Sequence, residues 1–485
     1  MSYFTALFFI CALNVAHCYY CLKILTHFNY EICKFEEVDV KLKPIFFLLA
    51  VTLAGSVQAV DLIDAWRAAQ AYDANFSAAK SAQIAGQEKA IQGRSLLLPQ
   101  VGLGANLNHA RIDSSPGNPT PTNPQVDKSG QTYGFSVRLT QPIYRQDAFV
   151  AADQLSKQTE LADLQFRVAE QNLILRVAQS YFDVLTAQEN VVLSAAQRES
   201  VAQQLAQAKR SFDVGSANIN DVNAAQARYD GIIATEIIAA NELDIRQNAF
   251  RLLTNLNSDQ LATAANNIEA TLPVPNDLNE WQARTETGSF ELLAQRLNLD
   301  IVAKNIQLYR LQDTPTLDLV ASYGQNFDSN GLARNGGTDR LGTGVIGLQF
   351  SVPLYTGGRR SSQLRESLAN RDQQMDRVEA TRRDALQTNK QAFLGVSAGA
   401  AQIRALQQAL VSSKSLLDST KLGHEVGVST MLDVLDANQR YYETRFRLVV
   451  AKYNYIFSTL QLAASTGVLN EQVLQHANQW FVATR

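Results

Sequence analysis

An eleven-residue turn is written twice in this chain, and the repetition limits what the chain can become. Phe212-Asp213-Val214-Gly215-Ser216-Ala217-Asn218-Ile219-Asn220-Asp221-Val222 returns 212 positions later as His424-Glu425-Val426-Gly427-Val428-Ser429-Thr430-Met431-Leu432-Asp433-Val434. The echo continues through Ala225, Arg228 and Tyr229 against Ala437, Arg440 and Tyr441. The chain is a tandem duplication and must be read as two copies of one unit. In each copy a glycine closes a long helix-forming run, where a left-handed C-terminal cap is wanted, and Asn218 or Thr430 then caps the next helix. Asn218-x-x-Asp221 and Thr430-x-x-Asp433 both read as capping boxes with Asp in place of Glu. Each copy is therefore expected to be a helical hairpin.

Prolines divide the sequence cleanly. None occurs between Pro142 and Pro273, and none after Pro353. These tracts hold the hairpins, because a long helix cannot lose backbone donors in its interior. Asp147 to Phe212 spans 66 residues, about 100 Å of helix, and Arg359 to His424 gives the same. The returning helices, Ile219 to Leu253 and Met431 to Ala464, reach only about half as far back. Leu62 to Leu97 and Trp281 to Leu311 have the right length to stack end to end with them and complete each antiparallel pair. Two apolar stripes mark the first rod, one through Leu161, Leu164, Val168, Leu175, Ala178, Phe182 and Leu185, the other through Leu173, Val177, Val184 and Val191. A rod with two seams packs against two neighbours, as in a wall of helices. A plain bundle would need one broader inward face.

Between the prolines the period changes to alternation. Val101, Leu103, Ala105 and Leu107 pair in pattern with Phe135, Val137 and Leu139 across a polar loop, Asp113 to Gly130, that carries four prolines. The second copy repeats the plan with Leu317, Leu319, Ala321 and Tyr323, a loop from Asn326 to Asp339, and then Ile346, Leu348, Phe350 and Val352. The organisation expected is a first repeat over 60–257, an equatorial linker over 258–289, a second repeat over 290–469 and a C-terminal tail over 470–485.

All four cysteines, Cys11, Cys18, Cys21 and Cys33, precede residue 34. Lys41 and Lys43, the apolar run Ile45 to Leu53, and Val57-Gln58-Ala59 form a signal peptide over 41–59, so that the mature chain begins at Val60 and residues 1–40 read as an over-extended start. The rival for that segment is a marginal membrane helix from Phe4 to Leu25. Beyond Ala59 no apolar run approaches the ~20 residues of a spanning helix, so an exported chain stays soluble or crosses a membrane as strands. With 46 acidic against 43 basic residues there is no basic field for nucleic acid. The three histidines that follow the signal peptide, His109, His424 and His476, are scattered and show no metal-ligand spacing, and no nucleophile motif or phosphate loop appears; neither an enzyme nor a cofactor is expected.

Four strands cannot close a barrel, for which about eight are needed, and lipid does not tolerate bare sheet edges. If these strands span a membrane, several chains must contribute, and three chains supply 12. The duplicated plan, the Val-Gly turns, Pro353-Leu354-Tyr355-Thr356-Gly357-Gly358 and Leu432-Asp433-Val434-Leu435-Asp436-Ala437 resemble the TolC family of outer-membrane channel proteins, in its type I secretion and efflux branch without a lipid anchor. The resemblance covers Val60 to Leu469. It implies a mainly helical homotrimer in which helical hairpins form an α-barrel through the periplasm and four strands per chain complete a 12-stranded β-barrel in the outer membrane of a Gram-negative bacterium. It also implies a periplasmic adaptor and an inner-membrane transporter, ABC or proton-driven, as partners, and a gate opened by helix movement.

By that resemblance Asp433 and Asp436 form the cation-selective ring of the gate, with Asp221 at the first hairpin tip beside it. Three residues apart on one helix face, Asp433 and Asp436 would place six carboxylates around a three-fold axis. Capping alone accounts for Asp433 and Asp221, whereas Asp436 lies beyond the first turn and capping leaves it unexplained. Val214, Gly215, Val426 and Gly427 resemble adaptor-docking turns; helix termination is the alternative for the glycines. Ser429 and His424 depart from the family pattern, which has a basic and an aromatic residue there to latch the gate. The competing function is a soluble periplasmic coiled-coil structural or adaptor protein, which explains the helices but leaves the matched strand pairs without a role.

Overall fold

The computed structural model describes residues 60–118, 120–122, 126–258, 261–264, 269–333 and 338–482. The expected extension over 1–40, its cysteines and the signal peptide over 41–59 lie outside the described residues. Every element below belongs to one compact unit, Ala59–Arg485.

The first copy opens with α1 (Leu62–Tyr72) and α2 (Ala74–Ser95), continues through β1 (Gln100–Ser114) and β2 (Val126–Tyr144), and ends in the hairpin of α3 (Gln146–Asp213) and α4 (Ile219–Thr254). After the short strand β3 (Thr263–Ala264) the plan repeats as α5 (Leu278–Gly288), α6 (Phe290–Arg310), β4 (Thr316–Asn330), β5 (Thr338–Ser351), α7 (Arg359–Glu425) and α8 (Met431–Ser465). The chain closes with α9 (Glu471–Asn478) and β6 (Phe481–Val482). The rods hold 68 and 67 residues, each about 100 Å long. In each copy the rod packs on the three shorter helices of its own repeat, α3 on α1, α2 and α4, and α7 on α5, α6 and α8; α3 packs in addition on α6 and α8 of the other repeat. The first rod thus has the two seams its stripes demand.

Three expectations are corrected. The segments read as single helices over 62–97 and 281–311 are each two helices, broken at Asp73 and Ser289. Asp73 turns extended (ψ 117°) and its side chain accepts from the Phe76 N–H, while Ser289 (ψ 115°) accepts from Leu292, so each residue ends one helix and caps the next. The strands are also longer than their apolar runs, at 15, 19, 15 and 14 residues, because polar residues of the expected loops join the ladders: Asn326 pairs with Gly134 and Asp113 with Asp127. Finally, the capping box is complete only at Thr430 and Asp433; the Asn218 side chain takes the Asn220 N–H instead.

The four long strands form one antiparallel sheet in the order β1-β2-β4-β5, so β1 and β5 are its edges. Leu103, Val137 and Tyr323 lie side by side across three strands, as do Val101, Leu139, Ala321 and Ile346 across four. These rows define one apolar face, and Leu103, Val137, Tyr323 and Ile346 are exposed on it. The main core sits half-way along the rods, where Tyr181, Phe182, Phe250, Ile403, Tyr455 and Ile456 pack with Leu62 of α1 and Leu474 of α9. There the Tyr181 hydroxyl lies 3.0 Å from the Val60 carbonyl and 2.8 Å from that of Ala262, and β3 pairs with β6. Both ends of the described residues and the segment between the repeats meet at this girdle.

Candidate functional site

The two hairpin tips carry one backbone design. At the first, Val214 N–H donates to Arg210 O, Gly215 N–H to Phe212 O, and Ser216 and Ala217 N–H to Ser211 O; at the second, Val426, Gly427, Val428 and Ser429 make the same four bonds to Leu422, His424 and Gly423. The closure requires a left-handed residue, and Gly215 (φ 76°) and Gly427 (φ 82°) supply it. Val214 and Val426 consequently stand out from the tips, 79% and 68% exposed.

Just inside the tips, the start of α8 is fixed by its cap. The Thr430 hydroxyl accepts from Asp433 N–H (3.2 Å), and the Asp433 carboxylate accepts from the Thr430 N–H (2.8 Å) and hydroxyl (2.7 Å). The Thr430 hydroxyl and N–H hold the Asp433 carboxyl below the usual carboxylate range. A small apolar cluster of Val201, Leu205, Ala208, Ala225, Ile232, Met431 and Leu435 joins α3, α4 and α8 at this end, apart from the main core. Above it the buried Asn438 donates to Ser200 Oγ (2.7 Å) and Tyr442 donates to Ala196 O (3.1 Å), tying α8 to α3.

Of the residues singled out from sequence, Asp433 and Asp436 sit together near the start of α8, and Asp221 sits in the first turn of α4. Asp433 faces solvent, while Asp436 is half-buried and paired: Arg228 Nη2 of α4 donates to its carboxylate at 2.9 Å, and Arg228 Nη1 donates to Gln439 Oε1. Sequence reasoning noticed Arg228 only as a repeated residue. The sequence sets Asp436 four residues before its repeat mate Arg440 and Ala224 four before Arg228, so no local signal joins Arg228 to that acid. Arg228 lines a cleft of about 620 Å³ between α3, α4 and α8, whose other polar lining includes Asn190, Gln197, Thr235 and Glu443.

Paired 100 Å rods, an open four-stranded sheet with an apolar face, and acids gathered at the far tips define the protomer of an outer-membrane duct. The chain belongs to the outer membrane efflux protein family, which matches residues 65–256 and 283–468. It is 32% identical to the outer membrane protein TolC of Vibrio cholerae over 439 residues, 90% of this chain and 98% of the relative. It is 31% identical to the proteases secretion protein PrtF of Dickeya chrysanthemi, covering 90% of this chain and 94% of that one. The fold is shared with the outer membrane protein VceC of Vibrio cholerae, with a TM-score of 0.70, 17% identity and coverage of 84% of this chain and 96% of that one. It is an export duct of the Gram-negative outer membrane that reaches into the periplasm.

Proposed function

We propose that three copies form one conduit, with a 12-stranded barrel in the outer membrane above a tube of hairpins whose tips form the gate. The observation that carries this reading is the open sheet: one apolar face and two unpaired edges, β1 and β5, are intolerable in lipid unless neighbouring copies pair with them. Strands of 14 to 19 residues exceed the ~9–11 that a tilted spanning strand needs. At the other end Asp433 and Asp436, with Asp221 close by, gather carboxylates around the axis and concentrate cations there. The protruding Val214 and Val426 beside Gly215 and Gly427 offer an apolar tip for a periplasmic adaptor, which links the duct to an inner-membrane transporter. Because the duct is shared, cargo is selected mostly by that transporter.

The ring is tested by single-channel recording with multivalent cations added from the periplasmic side. Asp433→Ala combined with Asp436→Ala is expected to weaken block by about tenfold or more, as the loss of two carboxylates per chain from one constriction requires. Unchanged block refutes the ring.

A further inference from the structure

We propose that Arg228 is the latch of this gate, that it acts within each chain and that the seams between chains have no counterpart. The proposal rests on the gate reading above and adds the residue that holds it shut. Contact between α4 and α8 is slight compared with that of either helix on α3, and where the two diverge the cleft of about 620 Å³ opens between them. Arg228 lines the cleft and crosses from α4 to α8, using one nitrogen for Asp436 and another for Gln439, three residues apart on α8. A planar guanidinium with two anchors fixes direction as well as distance, which a lysine would not. The side chains are 30% exposed for Arg228 and 48% for Asp436, so the pair is partly withdrawn from water.

The duplication supplies the contrast. Shifted by the 212-residue repeat, Arg228 becomes Arg440, and its partners Asp436 and Gln439 become Ala224 and Ala227. The seam that α8 would make with α4 of the next copy therefore has the arginine without either acceptor. The acids flanking those alanines, Asp221 and Asp230, are the repeat mates of Asp433 and Tyr442, to which Arg228 makes no hydrogen bond. Arg440 is exposed in the protomer. The six hairpins of a trimer would thus be clamped in pairs at three seams, and opening would part α4 from α8 inside each chain. Arg228 also neutralises Asp436, leaving Asp433 as the principal unpaired charge of the ring. This asymmetry replaces the latch that Ser429 and His424 cannot form.

The test uses the full-length protein in planar bilayers in potassium chloride free of multivalent ions, with heat-stable trimer on a gel as the assembly control. Arg228→Gln is expected to raise the fraction of time in the high-conductance state about fivefold, the upper range for a partly exposed pair. Arg440→Gln is expected to stay within about twofold of the unchanged protein, as ordinary surface substitutions do. Arg228→Asp with Asp436→Arg is expected to restore the low-conductance state, and it decides the matter should Arg228→Gln fail to assemble. An assembled Arg228→Gln channel with unchanged gating, equal effects at Arg228 and Arg440, or a charge-swapped trimer that stays open overturns the latch. None of these outcomes bears on multivalent block, which tests the ring separately.

Discussion

Single residues interrupt the helices of this protein where their side chains offer the backbone something better than continuation. Asp73 is the clearest case. Its carboxylate accepts from the Phe76 N–H at 3.0 Å and from Arg176 Nη2 of α3 at 2.6 Å, so it ends α1, starts α2 and pins both to the rod. Burial pushes its carboxyl up, but the Arg176 guanidinium and the Phe76 N–H together outweigh burial and hold it below the ordinary range. A depressed folded-state pKa means stability that is present above the unfolded value of about 4 and lost as pH falls through the folded one. Asp73→Asn is therefore expected to destabilise the protein by about 1–3 kcal/mol at pH 7, the range for losing a charged partner in a buried hydrogen bond. In thermal melts by circular dichroism the gap between variant and parent is expected to narrow below about pH 4. A gap of equal size at pH 7 and pH 3.5 would show that the charge is irrelevant. Nothing in the apolar pattern of 62–97 marks this break: the capping bond to Phe76 is one any helical aspartate could offer, and the Arg176 that pins Asp73 lies 103 residues away.

The long helices were readable in sequence because their determinants are local: proline-free tracts, Gly215 and Gly427 at the stops, Asn218 and Thr430 at the restarts. Strand ends were not. Above the apolar band the sheet carries Asn326, Asp328 and Ser329 opposite Gly134, Thr132 and Gln131, a composition that looks like loop and is held by the backbone ladder. Asp433 and Asp436 were legible as a motif, but Arg228 was not, since its partner is 208 positions distant and only the fold brings them together. Helix spacing also turns on residues whose role is invisible locally. On Gly86 of α2 a Cβ would lie 2.2 Å from the Ala162 Cβ of α3, whereas on Gly399 of α7 the nearest atom, in Tyr455, is 3.4 Å away. An alanine in a helix interior gains about 0.5–1 kcal/mol over glycine. Overpacking costs about 1–3 kcal/mol, so Gly86→Ala is expected to be net destabilising and Gly399→Ala neutral or slightly stabilising. Melting temperatures of the two variants check this, and equal tolerance at both sites would mean that α2 and α3 are not held at the distance seen.

At the scale of the whole assembly, the duplication does more than double the length. Within one chain α3 of the first hairpin packs against α8 of the second, through Val201, Leu205, Ser200, Ala196 and Phe182 on one side and Met431, Leu435, Asn438, Tyr442 and Tyr453 on the other. The repeat image of that interface, α7 against α4, has no counterpart of comparable extent among the described residues, which leaves each hairpin one free flank. Residues on the free flanks show what is missing. Phe182 is buried against Tyr453, but its image Leu394 is exposed; Met431 is buried, but Ile219 is exposed; Val449 packs against the core, while its image Ile237 is 65% exposed. Two unlike complementary flanks on one chain make a heterologous contact, which closes into a ring if its rotation allows. Three chains closed in this way bring together six hairpins and 12 strands. Ile237→Glu would then bury an unpaired carboxylate at each seam between copies, and such a charge costs about 3–5 kcal/mol. The variant is expected to lose the heat-resistant trimer on gels and to elute as smaller species in detergent, whereas Val428→Glu at the exposed tip is expected to assemble normally. A full complement of trimer from Ile237→Glu would place that flank in solvent and would remove the repeat image as the basis for closure.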